Sequence, residues 1–248
     1  MQVVVQDIVT QYKRHGKGKV ILLLHGWGDT GASWDSTAQS LAAQYDVVVP
    51  DLPGFGGTGQ PKEAWSLTEY AVFVRDFLHK LGLSPYAIIG HSNGGAIAVR
   101  GIGQGHFTTE KLVLLASAGV RSPRASYGLN VIAKVGKIVA SPLPRRVRSR
   151  LRTKLYAKAG SDLLVAEHMQ ETFKRIVRDD VRADAAYIST PTLLVYGDRD
   201  EQTPLSIAQQ LEQAIEGSRL QVIPHAGHFL YVDAPKETLQ LVQDFLHA

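Results

Sequence analysis

Two rhythms of apolar residues alternate along this chain. Short unbroken apolar runs, bounded by glycine, proline or charge, predict buried strands at Lys19–His25, Asp46–Pro50, Ala87–Ile89, Lys111–Ala116, Pro191–Tyr196 and Arg219–Pro224. Between them apolar residues return at the spacing of a helix face, over Thr30–Tyr45, Ser66–Leu81, Ala96–Arg100, Leu205–Ile215 and Pro235–Leu246. Residues 2 to 14 alternate more loosely, through Val3, Val5, Ile8 and Tyr12, and predict an edge hairpin. Strands alternating with helices imply an α/β protein with a mainly parallel sheet covered on both faces. In such sheets the working groups collect at the carboxyl ends of the strands.

The rhythm breaks after Ser117-Ala-Gly119 and resumes only near Thr190. Within the gap the stripes are helical: Leu129, Ile132, Val135 and Val139; then Val147, Leu151 and Leu155; then Leu164, Phe173 and Ile176 behind Ser161 as N-cap. A helical insertion between strands buries its stripes by lying on the strand ends. The expected organisation is therefore a core of residues 1–120 and 187–248 with a helical cap, 121–186, inserted after the sixth strand.

Composition narrows the classes. At 248 residues the chain is long enough for one large α/β domain, and it has no cysteine, which excludes disulfides, thiolate metal sites and a cysteine nucleophile. No apolar run approaches the roughly 20 residues that span a bilayer, and the first residues lack a basic region followed by a long apolar core, so the expectation is a cytoplasmic protein. Charge is unevenly placed. Net charge is +4, yet Arg121–Gly160 holds 11 Lys and Arg with no Asp or Glu, leaving 16 basic and 23 acidic residues elsewhere. Six of those cations fall between Pro144 and Lys154, on what reads as a helix. A solvated face is one reading of that run. Attraction of an acidic protein or an anionic substrate is another, and contact with an anionic membrane a weaker third. Nucleic acid is not expected, because no aromatic residues interleave with the arginines.

Gly54-x-Gly56-x-x-Gly59 follows a strand with the spacing of a dinucleotide-binding turn. No helix starts at once after it, since Gln60-Pro61-Lys62 intervenes, so these glycines are read as turns lining a cleft. Gly90-His91-Ser92-Asn93-Gly94 carries more chemistry. It joins a strand to a helix with the spacing Gly-x-Ser-x-Gly, which holds a serine on a strained turn at a helix N-terminus, where amides favour a nearby oxyanion. Taken alone it is equally a glycine-rich connection. A serine nucleophile needs an imidazole to take its proton and a carboxylate to hold that imidazole. His25, His91, His225 and His228 lie at strand ends; His91 is read as packing and His25 as ordering its loop. His225 and His228 both remain as bases, and Asp198, Asp200 and Glu201 as acids.

These residues together resemble the α/β-hydrolase family. The motifs are His25-Gly-Trp-Gly28, Asp51-Leu-Pro-Gly-Phe-Gly56, the turn at Ser92, Pro191-Thr-Leu-Leu-Val-Tyr-Gly197-x-x-Asp200 with Pro204 beyond, and Gly227-His228-Phe229. The resemblance implies the α/β-hydrolase fold and a triad of Ser92, Asp200 and His228, with Asp198 capping the loop backbone. It also implies an oxyanion hole from the backbone N–H groups of Trp27 and Asn93, with the Trp27 side chain either walling the acyl site or packed. The activity implied is carboxylic ester hydrolysis through an acyl-serine, with carbon–carbon bond hydrolysis of the meta-cleavage-product type, or a small-molecule receptor without turnover, as alternatives. No metal or organic cofactor is implied. The substrate expected is a small ester or acyl compound, and His168 and Met169 are candidate contacts from the cap. The His25 and Asp51 turns and an arginine-bearing cap also look like the pimeloyl-acyl-carrier-protein methyl ester esterases.

Overall fold

Gln2–Val5 (β1) and Ile8–His15 (β2) form a hairpin, and β2 lies antiparallel to the next strand inward. The remaining strands are parallel to one another: Val20–Leu24 (β3), Asp46–Pro50 (β4), Pro85–His91 (β5), Lys111–Leu115 (β6), Thr192–Gly197 (β7) and Arg219–Ile223 (β8). They form one sheet in the order β1-β2-β4-β3-β5-β6-β7-β8. The computed structural model describes residues 1–121 and 167–248. The first two stripes expected in the cap, the basic run of 144–154, Ser161 and Leu164 lie outside the described residues.

The helices described are Asp35–Leu41 (α1), Leu67–Leu81 (α2), Asn93–Gly103 (α3), Gln170–Ile176 (α4), Arg182–Ala185 (α5), Leu205–Ala214 (α6), Leu230–Asp233 (α7) and Pro235–His247 (α8). Side chains alternate across the sheet, so each apolar strand feeds two cores. Leu22, Leu24, Val48 and Ile88 pack with α2, α3 and α6; Ile21, Leu23, Val47, Val49 and Ile89 pack with α1 and α8 on the other face. This is why the strand runs are unbroken in the sequence. The sheet's last strand is the exception: most of β8 is exposed, because no further strand covers its edge.

Local signals set the helix ends. Ser66 caps α2 in a capping box with Glu69, and Gly82 closes it in the left-handed region at φ 62. The helix expected over Thr30–Tyr45 is shorter. Thr30 is extended, Gly31–Trp34 is a 3-10 turn, and only Asp35–Leu41 is α-helical. A tertiary contact explains the start, since the Gly31 amide donates to Asp51 Oδ1 at 2.7 Å instead of entering a helix. The stripe containing Phe173 and Ile176 begins at Gln170, after a 3-10 turn over Glu167–Met169.

The returning part of the inserted segment is tied to the core. Thr172 Oγ1 accepts from Trp65 N at 3.1 Å, and Asp179 Oδ2 accepts from Leu67 N at 2.8 Å, satisfying a first-turn amide of α2. Arg100 of α3 lies 3.2 Å from Asp184 and 3.7 Å from Asp179. Among the described residues no helix is long and apolar enough to cross a membrane.

Candidate active site

β5 ends at His91 and α3 begins at Asn93, so Ser92 makes the turn between them. Its backbone lies at φ 50, ψ −115, a conformation that costs an L residue on the order of 1–3 kcal/mol. The surroundings hold it there. Ser92 N donates to Leu115 O at 3.0 Å, and Ser92 O accepts from Gly95 N, Ala96 N and Ala118 N. The motif glycines follow from close approach: a Cβ on Gly94 would stand 2.3 Å from Leu24 O, and one on Gly90 2.6 Å from Gly95 Cα. The Ser92 hydroxyl caps no amide of α3. The Asn93 amide belongs to the first turn of that helix, whose amides have no intrahelical acceptor.

The turn after β3 backs onto this elbow. A Cβ on Gly26 would lie 2.9 Å from His91 Nδ1 and 3.3 Å from Ser92 Cβ, so only glycine lets the Gly26–Trp27 peptide come so close. Trp27 is half-buried, with its ring 4.9 Å from Phe55 and 5.2 Å from Phe173 of α4. It is the meeting point of the β3 turn, the loop after β4 and the inserted segment. His25, fully buried, orders the same region. The Leu52 amide donates to His25 Nε2 at 2.8 Å, so the ring proton must sit on Nδ1, which donates to Gly26 O at 2.8 Å. Burial lowers its pKa, outweighing the bond to Gly26, and keeps it neutral.

The loops after β7 and β8 meet at the same end of the sheet. Asp200 Oδ2 lies 2.8 Å from His228 Nδ1, and both residues are buried. A carboxylate only accepts, so the His228 proton is on Nδ1 and Nε2 keeps its lone pair. Asp200 is satisfied on every side: Oδ1 accepts from Gln202 N at 2.8 Å and Thr203 N at 2.9 Å, and Oδ2 also from Thr203 Oγ1 at 2.6 Å. Burial alone would raise its pKa, but the His228 hydrogen bond and charge and the Thr203 bonds outweigh that and hold it below the ordinary carboxylate value. Asp198 does different work, accepting from His225 N at 2.7 Å. His225 itself is exposed and meets the Arg199 guanidinium at 2.8 Å. Of the two histidines left open by the spacing, His228 is the one joined to an acid.

Sequence reasoning missed Thr203, although an acid followed three residues later by threonine is a turn and capping signal. His91, expected to pack, does so and also makes a hydrogen bond. This buried ring lies 4.8 Å from the His228 ring and 5.1 Å from Tyr231, and its Nε2 stands 3.0 Å from His228 O. A carbonyl accepts, so His91 Nε2 carries the proton and holds the main chain of His228. Burial and then the neighbouring His228 push the His91 pKa down to about 3, so it stays neutral. Of the cap candidates, His168 is exposed with Nε2 3.1 Å from Gly54 O, on the wall of a 370 Å³ cleft between Gly28–Thr30 and the Gly54–Gln60 loop. Met169 is buried against Gly54, whose missing side chain makes room for its thioether.

Comparison with known proteins agrees with this architecture. The alpha/beta hydrolase family profile matches residues 21–241. A pimeloyl-[acyl-carrier protein] methyl ester esterase of Nitrosomonas europaea is 26% identical over 240 residues, covering 90% of this chain and 93% of the relative. A 2-hydroxy-6-oxo-2,4-heptadienoate hydrolase of Pseudomonas putida is 26% identical over 253 residues, covering 94% and 91%. The crystal structure of the enol-lactonase of Burkholderia xenovorans superposes with a TM-score of 0.79 over 100% of both chains at 20% identity, a likeness of fold alone. The sheet order, the helices on both faces and these matches are those of the α/β-hydrolase fold.

Proposed function

We propose that this chain, which belongs to the alpha/beta hydrolase family, cleaves carboxylic esters through an acyl-serine intermediate. The observation that carries the reading is the Asp200–His228 pair, whose fixed Nδ1–H tautomer leaves Nε2 free to act as a base at the end of the sheet that carries the strained elbow serine. Ser92 gives its proton to His228 Nε2 as its oxygen adds to the ester carbonyl. The amides of Asn93 and Trp27 hold the resulting oxyanion, each contributing roughly 3 kcal/mol in the transition state. His228 then protonates the leaving alcohol, and a water that it deprotonates releases the acid and frees Ser92.

Turnover of p-nitrophenyl butyrate with an acylated Ser92 peptide caught by mass spectrometry is the expected result. Absence of both ester turnover and a serine adduct would sink the reading. A second reading, hydrolysis of a carbon–carbon bond, is supported by the likeness to the Pseudomonas putida hydrolase, and it uses the same triad. A 2-hydroxy-6-oxo-dienoate consumed faster than any simple ester would favour it.

The basic run from Arg145 to Lys154 supports an anionic acyl group or acidic carrier as the natural substrate. On that reading kcat/KM for a dicarboxylate monoester falls more steeply with salt than kcat/KM for a neutral ester. Equal slopes would rule it out.

His91 is expected to act by positioning. His91→Leu should lower kcat roughly 10- to 100-fold, because displacing a reacting group by about 1 Å costs that much, with little change in KM. His91→Gln, which returns an N–H donor for the His228 carbonyl, should recover most of the loss. The pH dependence of stability gives a separate check. The unfolded chain takes up this proton below about pH 6.5 while the folded one resists until about 3. Stability is therefore full above 6.5 and declines as pH falls toward 3, and the decline should be shallower in His91→Gln. Equal loss of kcat in both variants would leave His91 as packing alone.

A further inference from the structure

Asn93 is 3% exposed, and among the described residues neither its side-chain nitrogen nor its side-chain oxygen has a hydrogen-bond partner. A buried amide left unpaired costs roughly 1–3 kcal/mol, and each such group calls for an explanation. A leucine of similar shape would carry no such cost. The position supplies the reason. Asn93 follows the elbow serine directly, with its Cα about 3.8 Å from that of Ser92. As the first residue of α3 its Cα–Cβ bond tilts toward the helix N-terminus, which is the end of the sheet where Ser92 and His228 stand. Asn93 also shares a stripe of α3 with Ile97 and Arg100, and Arg100 meets Asp179 and Asp184 of the returning segment. The carboxamide is thus buried at the elbow end of α3.

We infer that the Asn93 carboxamide reads a hydroxyl group on the acyl part of the substrate, one or two carbons from the scissile carbonyl. The inference rests on Ser92 being the nucleophile, because the residue whose amide would hold the carbonyl oxygen then has its side chain beside the adjoining carbons. The chemistry selects the group. One donor and one acceptor are both unpartnered, and a hydroxyl offers both roles to a single carboxamide, whereas a bare carbonyl or carboxylate leaves Oδ1 unpaired and an alkyl group leaves both. A site built to bond a substrate hydroxyl discriminates strongly against the analogue without it, because the site's own polar groups are then left buried and unpaired. The substrate class is a 2- or 3-hydroxyacyl ester.

The test compares p-nitrophenyl 3-hydroxybutyrate, p-nitrophenyl 2-hydroxybutyrate and p-nitrophenyl butyrate in the wild type, Asn93→Leu and Asn93→Ser. The wild type should favour one hydroxy ester by tenfold or more in kcat/KM, after correction for the intrinsic hydrolysis rates. Asn93→Leu should cut that ratio at least tenfold, and Asn93→Ser, which keeps one hydroxyl, should lie between. The ratio is independent of any general loss from a disturbed elbow. If Asn93→Leu does not fold, the Asn93→Ser ratio decides alone. A wild-type ratio near one, or a ratio moved less than about threefold in both variants, overturns the assignment. Calorimetry separates its failure from that of the esterase reading. If no ester turns over, tighter binding of 3- or 2-hydroxybutyrate than of butyrate by the wild type, lost in Asn93→Leu, supports the Asn93 site, and equal binding of the three acids rejects it.

Discussion

Ser92→Ala should reduce ester turnover by roughly 10⁴- to 10⁶-fold and abolish labelling by a fluorophosphonate, while the protein remains folded. The size follows from what the hydroxyl does. Removing it deletes covalent catalysis and leaves His228 without the proton it is placed to take, so only binding and the oxyanion amides remain to assist a water. The small effect on folding follows from the elbow being held by the main chain through Leu115, Gly95, Ala96 and Ala118, with no helix cap made by the side chain. Alanine at φ 50 meets the same strain as serine. Circular dichroism and a melting curve check the fold; a mass shift mapped to the peptide bearing Ser92 in the wild type, absent from the variant, checks the chemistry. Undiminished turnover, or a label on another serine, would falsify the acyl-serine mechanism.

Asp200→Asn should lower kcat by about 10⁴-fold, whereas Asp198→Asn should stay within about tenfold. The asparagine amide can present N–H where Asp200 Oδ2 now accepts from His228 Nδ1, and the imidazole then moves its proton to Nε2, the nitrogen that must be bare. Among the described residues the Asp198 carboxylate accepts from the His225 amide, on the outer side of the loop. Thr203→Val tests the support for this acid. It removes the hydroxyl that donates to Asp200 Oδ2 at 2.6 Å and should leave activity intermediate between those two variants. The pH profile adds a sign. Because the Asp200 pKa is depressed in the folded state, its hydrogen bonding contributes stability that is present above the ordinary carboxylate value and lost only as pH falls through the lower folded value. Acid loss of activity at weakly acidic pH therefore does not come from Asp200. A larger loss from Asp198→Asn than from Asp200→Asn would show that the two acids had been exchanged.

What the sequence determined alone is what depends on near neighbours. The strands are legible because a sheet covered on both faces demands unbroken apolar runs, as in Val20–Leu24 and Thr192–Gly197. The elbow is legible because its glycines sit in a single strand–turn–helix unit, where Gly90 answers the backbone of Gly94 and Gly95, although Gly94 also answers the Leu24 backbone and Gly95 the Ser117 side chain. Order along the chain, read with a family resemblance, then pointed to Asp200 and His228. Tertiary structure decided the rest, since the partners involved are remote in sequence. Asp51 takes the Gly31 amide and shortens the first helix, a contact across 20 residues. The His91 proton reaches the His228 carbonyl across 137 residues, so nothing in its own stretch marks it as more than packing. Asn93 is the sharpest case. Its type is unremarkable beside a serine on a turn, and only burial, which no local pattern encodes, turns an ordinary amide into a donor and acceptor left unpaired among the described residues, next to the elbow.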